Sequence, residues 1–456
     1  MRIHLSVTVL TLAFSLAIVK ALLAQDSPVD LEAEWRRRLE NVEAEIAHLK
    51  LNHPLSSDRV LTGTAVEKPK LNYPTFTPFG AIQSDAGWFQ QSLTNRALVG
   101  DAVDGIGIRR ARLGGFGKVS EQASYRLQMD FAFPGRPTFT DVFIDLHEVP
   151  VLGNVRFGQW KQFIGLQELT SFRFNPFLER ASLFLFNPFR RTGVGFYNHA
   201  ADERWTWAAS VFGAGQDQFG DSLTDIRGYA MAGRITCNPV FECDGERVLH
   251  LGAAYHLSAP TDRRVRFGAF GGNAPPWGLF SGQVGTASFN QTPSFVDTGF
   301  INAHLYQVFA TELAIVMGPL SLQAELNYTL LEQVQHGSLS FWGGYLFATY
   351  FLTGQHRVYD RKQALFDRPA PLNDWRPLSD GNLFGGAWEL TARLAYIDLT
   401  DQNIDGGRLA DLTLGINWYL NRYTRITFNY IHALLQRGDS TGSHADIYAV
   451  RIQLDF

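Results

Sequence analysis

Along most of its length the chain alternates apolar and polar residues one by one. At the C-terminus Tyr448, Val450, Ile452, Leu454 and Phe456 interleave with Arg451, Gln453 and Asp455. Earlier, Tyr125, Leu127, Met129, Phe131 and Phe133 alternate with Arg126, Gln128 and Asp130. The period returns in Leu320–Leu330 against Ser321, Gln323, Glu325, Asn327 and Thr329, and in Trp388–Tyr396 against Glu389, Thr391 and Arg393. Leu412–Leu420 repeats it against Thr413, Gly415 and Asn417. Side chains alternate faces along a strand, so each segment predicts a strand with one apolar and one polar face. One such strand suits a soluble sandwich equally well. Many of them, closing on a terminal aromatic, predict an all-β fold, a transmembrane antiparallel β-barrel with its apolar rows in lipid and its charged rows facing water.

Turn signals support closure. Tight turns are expected at Gly153-Asn154, Gly318-Pro319 and Asn421-Arg422, and extended connections at Phe163 to Arg191 and Ala259 to Asn302. Segments between Phe79 and Phe456 number about 16, an even count that leaves both ends of the chain on the periplasmic side. A barrel of that size holds a water channel when some loop narrows it.

The first residues read differently. Arg2, the apolar run Leu5–Val19 and the small residues up to Ala24 predict a secretory leader over 1–24, with an N-terminal membrane anchor as the alternative. Within 28–51, Trp35, Leu39, Val42, Ile46 and Leu49 keep a four-three rhythm, predicting a short coiled-coil helix or a lone amphipathic helix resting on the barrel. Pro69, Pro74 and Pro78 mark 52–78 as a linker, which leaves 79–456 as the barrel domain.

Composition agrees with a barrel and excludes a helical membrane protein. Apolar residues make up 45%, yet the leader holds the one long apolar run, while aromatics reach 13% and glycines number 42. The formal net charge of -4 becomes more acidic once Arg2 and Lys20 are removed, so no global field attracts nucleic acid or another polyanion. Any selectivity must be local. Lys occurs only at 20, 50, 68, 70, 118, 161 and 362, and every other basic residue of the 40 is Arg, whose planar fork holds oxyanions bidentately.

The richest candidate site is the extended connection Phe163 to Arg191. It carries Arg173, Arg180, Arg190 and Arg191, which would attract anions in a narrow pore. Alternatively these arginines pair with Glu168 and Glu179 and pack the loop to the wall. Arg110 and Arg112 share a strand face, and Arg126, Arg156 and Lys161 add charge nearby, together forming a basic track toward the constriction. Cys237 and Cys243 flank a short segment and form either a small disulfide loop across a turn or two free thiols. Catalytic and metal signals are poor. Gly117-Lys118 lacks the rest of a phosphate-binding loop, the 12 histidines are scattered, and no serine sits in a nucleophile elbow. No enzyme activity, metal or cofactor is expected.

Three blocks resemble the family of phosphate-selective porins O and P. One is Val155–Lys161 with Gly165–Ser171 and Phe177–Ala181; another is Phe295–Gly299 with Gly318–Glu325. The last runs from Tyr350–Gly354 through His356-Arg357 and Tyr359–Lys362 to Gly386–Leu390, Gly406–Arg408 and Leu414–Asn421. The resemblance implies a homotrimeric outer-membrane porin of about 16 strands, with arginines in its lumen and its third loop folded inward. The expected function is a passive channel preferring small anions such as phosphate. A general non-selective porin, or a structural barrel tethered through its N-terminal helix, is the alternative.

Overall fold

The computed structural model of the chain describes residues 72–132, 137–214, 228–268, 294–376, 381 and 384–456. The leader, the Pro28–Leu51 helix and most of the linker lie outside the described residues. Sixteen long strands form the body. The first eight are β1 (Thr77–Gln91), β2 (Gly105–Lys118), β3 (Ala123–Asp130), β4 (Thr138–Val149), β5 (Gly153–Lys161), β6 (Arg190–His199), β7 (Trp205–Gly213) and β8 (Gly228–Glu242). The others are β9 (Arg247–Pro260), β10 (Ile301–Met317), β11 (Leu320–Gln333), β12 (Ser338–Phe351), β13 (Ala387–Asp401), β14 (Ile404–Tyr419), β15 (Thr424–Gln436) and β16 (His444–Asp455). Each pairs antiparallel with the next, and β1 closes on β16 from Ala81↔Asp455 to Gln91↔Ala445. Closure removes both sheet edges, the condition for a strand to sit in hydrocarbon.

Burial is inverted relative to a water-soluble protein. On β11 the buried residues are Ser321, Gln323, Glu325, Asn327 and Thr329, and on β16 they are Arg451, Gln453 and Asp455. The apolar row points outward, with Leu394 60% and Ile452 55% exposed. A charge on the lipid face costs about 2–4 kcal/mol near the bilayer centre, which fixes the register of every strand. Where neighbouring backbones crowd, glycine is required: at Gly158 on β5, φ is +128° and a Cβ would stand 2.3 Å from the Val142 carbonyl.

The inward rows are polar through most of the barrel but turn apolar at the end away from the termini. There Leu331, Leu339, Phe341, Ile397, Leu409 and Ile447 are fully buried, covered by Phe295 and Val296 of the connection after β9. Period-two reading does not reveal this change, because an inward leucine breaks the alternation. At the end carrying both termini the turns are short, as at 318–319 and 420–423. The turn expected at Gly153-Asn154 lies at 150–152, and Gly153 opens β5.

Residues 352–376 and 384–386, from the connection between β12 and β13, are the exception at that end. They form a strap rather than a turn. Its first leg enters the lumen, where Arg357 lies 3.6 Å over the Phe366 ring and donates to the Gln323 side chain. The Tyr359 hydroxyl meets His250 at 2.6 Å, and the Ala364 carbonyl accepts from Arg234 at 3.0 Å. The strap then crosses to β16, where Arg368 pairs with Asp455.

The disulfide alternative is corrected by the strand geometry. Cys237 and Cys243 are both free thiols. Strand β8 continues through Glu242, which pairs with Arg247, instead of turning between the cysteines. Six residues of extended chain span about 20 Å, far beyond the roughly 7 Å between Cα atoms that a disulfide tolerates.

Candidate pore constriction

The connection between β5 and β6, residues 162–189, folds into the lumen. Its apolar side chains dictate this: Ile164, Leu166, Phe177, Leu178 and Leu183–Phe186 are all buried, and Phe177 packs edge-on against Phe347 of β12 at 5.3 Å. A buried loop carries backbone polar groups that need partners. The barrel wall supplies them. Arg451 donates to the Leu178 carbonyl at 2.5 Å, Arg425 to Asn175 at 2.9 Å, Arg393 to Glu179 at 2.9 Å and Asn417 to Pro176 at 2.8 Å. Further round the same wall, on β11, Glu325 accepts from the amides of Leu166 at 3.0 Å and Gln167 at 2.6 Å.

Glu179 is the charged knot of this anchorage. Arg109 grips it with two bonds of 2.8 and 3.1 Å, Arg451 approaches at 3.0 Å and Arg110 at 3.9 Å. Burial alone would push this carboxyl up, but Arg109, Arg110 and Arg451 outweigh it and hold Glu179 well below the usual carboxylate range. Glu168 is the contrast. Burial pushes its carboxyl up and outweighs the nearby charges of Arg180, Lys161 and Arg190, since neither oxygen has a hydrogen-bond partner in good geometry.

Between this loop, the wall of β2–β6 and the lumenal leg of the strap lies a cavity of about 440 Å³. Arg112, Arg126, Arg156, Lys161, Arg173 and Arg190 all line it, so the structure brings six of the nine expected basic residues together. Three of the arginines face carboxylates. Arg112 pairs with Asp130 at 2.8 Å, Arg156 with Asp145 at 2.7 Å and Arg190 with Asp141 at 2.8 Å. Lys161 donates to the loop carbonyls of Glu168 and Thr170 at 2.6 and 3.3 Å. Arg126 and Arg173 differ. Among the described residues neither side chain has an ion pair or hydrogen bond; both guanidiniums lie over the Phe79 ring, at 4.7 and 5.2 Å. A ring face attracts the cation without neutralising it.

The other expected residues lie elsewhere. Arg110 donates to Gln83 at 2.6 Å and stacks on Phe172. Arg180 turns back on its own loop and donates to the carbonyls of Gln167, Glu168 and Thr170. Arg191 donates to the Arg190 carbonyl and is not among the residues around the cavity. Sequence reasoning missed the counter-charges Asp141 and Asp145, the Phe79 and Phe172 platforms, and Arg234 and Lys362, which reach the cavity from β8 and the strap. One signal was available: Asp130 shares the polar row of Arg126.

Comparison with known proteins gives this architecture its relatives. An anion-selective porin from Comamonas acidovorans superposes with a TM-score of 0.51 at 15% identity, covering 84% of this chain and 99% of that one, a likeness of fold. Porin O of Pseudomonas aeruginosa is 24% identical over 417 residues, covering 83% of this chain and 87% of that protein. An uncharacterised protein of Caulobacter vibrioides is 27% identical over 401 residues, or 84% of this chain and 74% of that protein. The family model of phosphate-selective porin O and P matches residues 79–456, the whole closed barrel from Phe79 to Phe456. A sixteen-strand barrel with an inward-folded, arginine-held loop is thus an outer-membrane porin, and the chain belongs to the phosphate-selective porin O and P family.

Proposed function

We propose that this porin is a homotrimeric diffusion channel that favours small anions, phosphate among them. The observation carrying this reading is the pair Arg126 and Arg173, two cations without carboxylate partners on the wall of a lumenal cavity. In a narrow, low-dielectric passage such charges raise the local anion concentration, and because each makes few directed bonds the anion also leaves easily. The paired arginines contribute shape and hydrogen-bond donors more than field. The end bearing the termini and short turns faces the periplasm, as in other bacterial barrels.

A second reading, a non-selective pore, is favoured by Asp130, Asp141 and Asp145, which neutralise three arginines of the same wall. Reversal potential in a salt gradient across a planar bilayer separates the two. Anion preference is expected for the parent, and Arg126→Gln with Arg173→Gln should move it toward cations. Arg204→Gln, on an exposed turn, should not. Cation preference in the parent would refute the anion reading.

A further inference from the structure

The second leg of the strap leaves the lumen. After Arg368 the chain passes over the 420–423 turn, where the Trp375 amide donates to the Leu420 carbonyl at 2.7 Å. The Trp375 ring then stands edge-on to Trp418, 5.3 Å away. Trp418 belongs to the outward row of β14, two residues from exposed Ile416, and stacks at 4.9 Å on Trp388, which is two residues from exposed Leu390 on β13. Strap residues therefore lie on the lipid-facing side of the barrel. Trp418 Nε1 donates to the Gly385 carbonyl at 2.8 Å and Trp388 Nε1 to the Phe384 carbonyl at 3.0 Å, which binds the returning strap to the same surface.

The side chains this leg presents suit a membrane boundary. Leu372 and Phe384 are 73% and 74% exposed, although both are large and apolar. Asn373, Asp374 and Arg376 between and beside them are exposed and polar. Up the same strands a second aromatic pair, Trp342 and Tyr396 at 4.9 Å, marks the other edge of the apolar band. Trp388 to Tyr396 spans about 26 Å along the strand, which at a tilt of roughly 40° rises about 20 Å, most of the ~25 Å band that aromatic girdles bracket in outer-membrane barrels. Trp375, Leu372 and Phe384 thus sit at the level where indole rings meet headgroups.

We infer that the outer leg of the strap, Leu372, Trp375 and Phe384 against Trp388 and Trp418, is a lipid-interface anchor seated in the headgroup–acyl boundary of the periplasmic leaflet. Its partner is the phospholipid surface, because the patch continues the lipid-facing row without a break. The anchor ties to the membrane the same segment whose first leg crosses the lumen.

Single-site fluorescence tests it. In the full chain with Cys237→Ser and Cys243→Ser, an environment-sensitive dye is placed at Leu372→Cys, at Phe384→Cys or, as reference, at Glu246→Cys on another turn of the same end. Reconstitution is into phosphatidylethanolamine and phosphatidylglycerol vesicles, with folding checked by heat-dependent gel mobility. Both labelled positions are exposed, so either reads the outcome if the other variant fails to fold. Emission from 372 and 384 should be lost to bromine carried on the acyl chains near the headgroup and should resist aqueous iodide, with the reverse at 246. Full iodide quenching at both strap positions would overturn the anchor. So would protection from both quenchers together with cross-linking of strap to strap between copies, which would assign the patch to a second copy of the chain.

Discussion

Replacing Arg451 by Met should unfasten the inward loop at its most connected point. Arg451 lies fully buried, grips Asp85 with two bonds of 2.7 Å, reaches Glu179 at 3.0 Å and holds the Leu178 carbonyl at 2.5 Å. Met fills much of the same volume, so the loss is electrostatic rather than a void. Asp85 is left with an uncompensated buried charge, whereas Glu179 keeps Arg109. Breaking a buried pair by removing one partner costs about 3–5 kcal/mol, and water entering from the lumen sets the expectation near the lower bound, about 3 kcal/mol. That is roughly a hundredfold in the unfolding constant. Guanidinium titration in phospholipid vesicles, read by gel mobility, measures it. The companion Asp85→Asn with Arg451→Met removes both charges and should recover most of the loss, leaving about 1 kcal/mol for the Leu178 carbonyl. A single variant within about 0.5 kcal/mol of the parent, or a double variant no better than the single, would refute the claim that this arginine is an anchor.

Glu168→Gln should flatten the decline of stability as pH rises above about 4. Burial raises the Glu168 carboxyl, so the folded state keeps a proton that the unfolded state has released, and stability falls as pH rises above the ordinary value of about 4.3. Equal guanidinium midpoints against pH for parent and variant would contradict this. Arg180→Gln should loosen the loop, seen as faster proteolysis in vesicles and noisier single-channel current, because three loop carbonyls lose their donor. Unchanged proteolysis would place the loop's hold entirely on the wall. Intact mass should not change on reduction, and Cys243, which is exposed, should react with a maleimide faster than half-buried Cys237. A mass that rises on reduction would restore the disulfide.

The strands were legible because lipid and water impose opposite demands on the two faces, and period-two alternation records that directly in segments such as Leu320–Leu330. The inward loop was legible as a long, arginine-bearing connection. What each arginine does was not. Whether Arg156 is neutralised depends on Asp145 standing opposite it, a register fact set by the β4–β5 turn rather than by either residue's neighbours in sequence. Arg180 looked like Arg173, yet one folds back on its own loop and the other lies on Phe79, a residue far away in the chain. The strap had no periodicity to read, since half of it contacts the lumen wall and half the outer face.

The wall grips the inward loop mainly through its main chain. Asn175, Pro176, Leu178 and Glu179 are held by their carbonyls, and Leu166 and Gln167 by their amides. Every residue except proline offers the same amide, and every residue offers the same carbonyl. Position is therefore encoded in the barrel and chemistry in the loop, two largely separable instructions. On the anion-channel reading proposed above, a side chain such as Arg173 or Phe172 can then be exchanged to alter what passes without moving the frame that holds it, so cargo would be retuned by single substitutions.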